Sequence, residues 1–131
     1  MSFLDNRASQ LRALLRIMAA LLFMEHGLMK LFAFPAAQAG APSPLPTLLV
    51  VAAVIEVGGG ALIALGLFTR IVAFIAAGEM AVAYFMAHMS KSFWPGINGG
   101  DAAILFCFIF LYIAAAGPGA WSVDEAIGKK G

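Results

Sequence analysis

Charge and cysteine are what this chain of 131 residues has least of: 11% of it is charged, eight Lys and Arg against seven Asp and Glu, and its one cysteine is Cys107. A soluble domain carries about 25% charged residues, so the scarcity excludes a soluble single domain. A net charge of +1 with no basic run excludes nucleic acid as a partner. One cysteine excludes an intramolecular disulfide, a CxxC redox pair and a thiolate metal cage. Flavin, haem and nucleotide motifs are absent too. What the chain has in abundance is apolar surface: 63% hydrophobic residues and a mean hydropathy of +0.95. Four membrane spans of ~20 residues would use roughly 80 positions and leave about 50 for ends and connections, too few for a separate water-soluble catalytic domain.

The apolar segments fall at about 11–34, 45–68, 71–89 and 101–120. Pro35 and the Ala/Gly/Pro/Ser stretch up to Pro46 end the first, Thr69 and Arg70 make a very short connection after the second, and a polar loop, 90–100, follows the third. The fourth is most apolar from Asp101 to Ala116, and Gly, Ala and Trp121 beyond it are expected to complete the crossing. Runs of this length, rich in Ala and Leu, predict helices; barrel strands would show ~10-residue segments of alternating polarity. The expected fold is an all-α integral membrane four-helix bundle, one domain over 1–131.

Basic residues near the span ends set the orientation. Arg7, Arg12, Arg16, Arg70, Lys129 and Lys130 fall on one side of a four-span topology, and Lys30 and Lys91 on the other. Both termini are therefore expected in the cytoplasm of a multi-pass protein of the cell's inner (plasma) membrane. A cleaved leader is the competing account, because Ala37-Gln38-Ala39 has the form of a cleavage site. Against it, Glu25, His26 and Lys30 interrupt the apolar stretch and the leader would be unusually long.

Ionisable groups inside the spans carry the functional signal, since each costs on the order of 3 kcal/mol at mid-span unless partnered, protonated or hydrated. They are Glu25, His26, Glu56, Glu79 and His88, with Lys30 one helical turn beyond His26. His26 and Lys30 share a helix face, as do Tyr84 and His88, whereas Glu79 and His88 point to nearly opposite sides. Glu79 must then meet another helix, meet another subunit, or stay protonated. The expectation is one polar cluster in the outer half of the bundle: His26, Glu56, His88 and Asp101 as the chemical groups, with Lys30, Tyr84, Trp94 and Asn98 beside them. The bland alternative, hydrogen bonds that merely tie helices together, fits Glu79 taken alone better than it fits the group. A metal site has no support, because no single helix carries an HxxxH or ExxH pair. Gly58, Gly59, Gly60 and Gly66 read as points of close helix approach, and the methionines as adaptable packing. Met24, Met29, Met86 and Met89, with Phe93 and Trp94, would suit a flat hydrophobic ligand such as a quinone.

The ordered set MEHGLMKLF, EVGGGALIALGLFTR, AHMSKSFWP, NGGDAAILF and GPGAWSVDEAIG resembles the DoxX family of small four-helix membrane proteins, over about Leu11 to Gly128. The resemblance implies His26 and Gly27 for the family's HG pair, Lys30 for the basic residue after it, Glu56 with Gly59 for an E-x-x-G element, His88 for the span-three histidine, and Gly100 with Asp101 for a GE element. Asp101 stands where glutamate is more familiar. It further implies an association with quinone-linked oxidation or oxidative-stress complexes. The leading expectation is a quinone-interacting redox protein or subunit of a membrane oxidoreductase, working in the bilayer with a quinone or other small aromatic ligand, a redox partner subunit, or further copies of itself. A small proton-coupled carrier and an assembly scaffold for another membrane enzyme stay open.

Overall fold

In the computed structural model the described residues are 2–128; Lys129 and Lys130, counted toward the orientation, lie outside them. Every regular element among these residues is helical. A single turn, α1 (Ser2–Asp5), precedes α2 (Ala8–Phe32), whose 25 residues make a rod of about 37 Å. The helix stops where Ala33 turns left-handed; the Ala33 N–H then bonds Met29 O at 3.2 Å and the Phe34 N–H bonds Leu28 O at 3.3 Å. An irregular segment leads to Pro46, and from there one continuous rod is built of α3 (Thr47–Val54), a π-helical turn (Ile55–Gly59) and α4 (Gly60–Leu65). Gly66, at φ 72°, breaks it, and Thr69 opens α5 (Thr69–Ala87). After a loop come the turn α6 (Pro95–Asn98), α7 (Asp101–Ala116) and the turn α8 (Val123–Ala126).

The packing follows from where small residues fall. On α5 the buried residues Ala73, Ala76, Ala77 and Met80 recur at i, i+3, i+4 and i+7, one narrow stripe. That stripe lies along α7, which answers with Ala103, Phe106, Phe110 and Ile113. Side chains this small let two backbones approach closely, the usual means of joining helices where solvent exclusion gives no drive. Helix α2 closes the bundle: Phe23 is fully buried, its ring 4.9 Å from that of Phe110 and 5.8 Å from that of Phe106. Large apolar side chains point the other way, as Phe74, Ile75 and Phe85 on α5 and Leu105 and Phe108 on α7 show. A surface so apolar would be an aggregation liability in water and is the expected one in lipid.

Two helical stretches are long and apolar enough to cross a membrane, Thr47–Leu65 and Thr69–Ala87. Both sit within a few residues of their expected bounds. The fourth segment differs from its expectation: α7 has 16 residues and ends at Ala116, so Gly117 to Trp121 do not extend it. Gly117, at φ 86°, turns the chain back, and the tail folds over the ends of the other helices, its Ala120 N–H bonding Ser9 O at 3.3 Å and its Asp124 N–H bonding Gly66 O at 2.9 Å.

Candidate functional site

The π-helical turn carries the first functional group. Inserting one residue into the helical repeat re-aims the side chains beside it, and such turns concentrate at functional sites. Here Glu56 points inward and is 2% exposed. Helix α2 meets it at Gly27: a Cβ there would lie 2.8 Å from Ala53 O and 2.9 Å from the Glu56 Cβ, so only glycine permits this approach. Three residues further on, Lys30 exploits the closeness. Its Nζ donates to both Glu56 oxygens, at 3.0 Å to Oε1 and 2.8 Å to Oε2. From α5, Glu79 presents its carboxyl to that of Glu56, within hydrogen-bonding reach of it and electrostatic reach of Lys30, and its oxygens are buried with no other hydrogen-bond partner among the described residues. Of the three fates open to Glu79, the structure shows the first: it meets another helix.

A second polar group knits the loop between α5 and α7. Asn98 is 2% exposed; its Nδ2 donates to Tyr84 Oη at 3.1 Å and to Ser92 O at 3.0 Å, while its Oδ1 accepts the Gly100 N–H at 2.8 Å. His88 Nδ1 lies 3.1 Å from Asn98 O. A carbonyl oxygen can only accept, so Nδ1 carries the proton and a neutral His88 offers a lone pair at Nε2. The same argument holds for His26, whose Nδ1 is 2.9 Å from Leu22 O and whose ring stands edge-on to Phe106 at 5.8 Å.

Of the eight residues expected to gather, the structure therefore joins Lys30 with Glu56, and Tyr84 with His88 and Asn98, as two separate groups. His26 bonds back to its own helix. Asp101, the first residue of α7, is exposed, and Trp94 is exposed with its ring edge-on to Phe93 at 5.2 Å. No direct hydrogen bond joins His26, Glu56, His88 and Asp101 among the described residues. Backbone carbonyls take the histidine Nδ1 atoms instead, and Lys30 is the donor that Glu56 receives.

The opposite end of the bundle holds a polar cluster for which the sequence reading had no place. Arg16, counted there only as a topological charge, is fully buried and donates to Ala120 O at 3.1 Å, Trp121 O at 3.0 Å and Ala64 O at 3.4 Å, and also to Pro118 O. Arg70 donates to Ala115 O and, at 3.3 Å, to Ala114 O. Asp124, also fully buried, accepts the Phe68 and Thr69 N–H groups at 2.9 Å each, capping α5 from 55 residues away. One signal was available: Ser122 and Glu125 have the spacing of a capping box, and Ser122 Oγ does accept the Glu125 N–H at 3.1 Å.

Helices with small residues inside, large apolar residues outside and charges paired within define an all-helical membrane protein. A DoxX family model matches residues 11–89, and the chain belongs to that family. It is 40% identical to an uncharacterized protein of Haemophilus influenzae, over 99% of this chain and all of that one. It is 30% identical to the inner membrane protein YqjF of Escherichia coli K12, over 88% of this chain and 90% of that one. No solved structure matches.

Proposed function

We propose that this chain is a quinone-interacting protein of the inner membrane, crossing it four times with both termini in the cytoplasm, and that Lys30, Glu56 and Glu79 form its proton-exchanging group. The family, the relative described as an inner membrane protein and the one-sided basic residues support the location. The observation that carries the chemistry is a charge imbalance inside apolar helices. Lys30 neutralises one carboxylate; the other is one negative charge too many for that environment, and a proton on Glu56 or Glu79 balances it. A group that needs one proton, and has two carboxyls to hold it, can take up or release that proton as a neighbouring reaction demands.

Quinol oxidation releases protons together with electrons. In their neutral forms His26 and His88, each with Nδ1–H already bonded, would present Nε2 as an acceptor and so suit a quinol hydroxyl better than a quinone carbonyl. With no flavin or haem motif in the chain, the electrons pass to a redox partner subunit or to a second, diffusible quinone. The depth of Glu56 and Glu79 within their helices favours one other reading, a small proton-coupled carrier.

Thermal denaturation of the purified protein with short-chain ubiquinone or menaquinone analogues tests the proposal. Binding to the folded state raises Tm by mass action, and the rise should shrink in His26→Ala and Glu56→Gln. No shift with either analogue, and no quinone co-purifying, would remove its main support. Solute-dependent proton movement into proteoliposomes, abolished by Glu56→Gln, would favour the carrier instead.

A further inference from the structure

Helix α2 has a second seam, facing away from the bundle. Leu11, Leu14, Leu15, Met18, Leu21 and Leu22 are all exposed, and Glu25 is exposed with them. Their order follows the a, d and e positions of a heptad, with Leu11, Met18 and Glu25 at a. Exposed leucines are ordinary on a helix that faces lipid; an exposed carboxyl is not. Gly27 packs against Ala53 and Glu56, and Gly60 packs against Met24, so Glu25 lies level with the middle of the apolar Thr47–Leu65 stretch. Its carboxyl has no ion pair among the described residues. A carboxyl at that depth needs a partner, a proton or water, and a hydrogen-bonded carboxyl pair supplies the first two together.

We propose that this seam is where a second copy of the chain docks, α2 against α2, with the two Glu25 carboxyls hydrogen-bonded to each other at the contact. Copies inserted the same way round have parallel α2 helices, so a two-fold axis along the bilayer normal sets each a position opposite its own counterpart. Glu25 then meets Glu25 of the second copy. The carboxyl O–H of one donates to a carboxyl oxygen of the other, and one residue type supplies both donor and acceptor. The 3.5-residue period of the leucines gives the seam the interlocking packing of a left-handed supercoil on either side of that polar pair.

Single cysteines introduced in a Cys107→Ser background test this in native membranes. Met18→Cys and Leu21→Cys, on the seam, should cross-link oxidatively to a covalent homodimer about fivefold or more above Phe74→Cys and Phe108→Cys, which are exposed on other helices. Adding Glu25→Gln, which keeps a donor and an acceptor, should leave that cross-linking in place. Adding Glu25→Leu should lower it about fivefold, with the Tm of the monomer in detergent unchanged because Glu25 is exposed and has no hydrogen bond or ion pair among the described residues. Seam cross-linking no better than at the control positions, an adduct with the mass of another protein, or cross-linking that Glu25→Leu leaves intact would each overturn the proposal.

Discussion

Removing the Lys30 ammonium should unbalance the bundle more than any other single change near the pair. Its side chain is 11% exposed and that of Glu56 3%, so the ion pair is too buried for solvent screening to discount it heavily. Breaking a buried pair by deleting one partner costs about 3–5 kcal/mol, because the other charge stays in place uncompensated. For Lys30→Met the lower end, about 3 kcal/mol, is expected, since Glu56 can share a proton with Glu79 once the lysine is gone. With roughly 3–5 °C per kcal/mol for a chain of this size, Tm in detergent should fall by about 10 °C. The double variant Lys30→Met/Glu56→Gln removes both charges while nearly conserving volume, and replacing a whole buried pair is often close to neutral. It should recover more than half of the loss. A Lys30→Met protein within about 0.5 kcal/mol of wild type, the range of an ordinary surface substitution, or a double variant no better than the single one, would refute the buried-pair reasoning.

Three further outcomes follow from the packing. Arg16→Ala leaves several buried backbone carbonyls of the tail without a donor and should cost about 3 kcal/mol or more, with faster hydrogen exchange concentrated in Ala120 to Ala126; Arg16→Lys, which cannot reach all those acceptors in one plane, should lie in between. Gly27→Ala forces a methyl against Ala53 O and should destabilise by about 1–3 kcal/mol, whereas Gly58→Ala, with open space at its Cβ, should stabilise by up to about 1 kcal/mol in the same melting assay. Asp124→Asn keeps one acceptor where two backbone N–H groups need one each, and should lower stability by about 1–2 kcal/mol, read as faster exchange of the Phe68 and Thr69 amides.

The helices were readable because hydropathy and breaker residues act locally. Pro35 to Pro46 show where the chain must leave a helix, and α2 and α3 end and begin close to them; the short connection expected at Thr69 and Arg70 lies instead inside α5, because the break falls at Gly66, whose positive φ ends the preceding helix. The short α7 was not readable, because composition alone does not distinguish an apolar Gly-Ala tail that continues a helix from one that turns back at a positive φ. Helical phase correctly separated Glu79 from His88. It placed Lys30 in the same cluster as Glu56 without singling the two out as an ion pair, since that contact depends on how closely Gly27 lets two helices approach, a tertiary fact. The histidines share faces with other polar groups as the spacing says, yet each turns its Nδ1 to a carbonyl, one in its own helix and one in the adjoining loop. Arg16 escaped notice for a related reason: its partners are backbone oxygens, which leave no trace in residue identity.

Glu56 and Glu79 are proposed to hold between them one proton that responds to a quinone. Infrared difference spectroscopy on the membrane-embedded protein, recorded on adding a ubiquinone or menaquinone analogue, observes protonated carboxyls directly. The carboxyl C=O band should change, and Glu79→Gln and Glu56→Gln should each diminish that change while Glu25→Gln leaves it in place. A spectrum with no carboxyl change, or a change that survives both the Glu56→Gln and the Glu79→Gln substitutions, would contradict it.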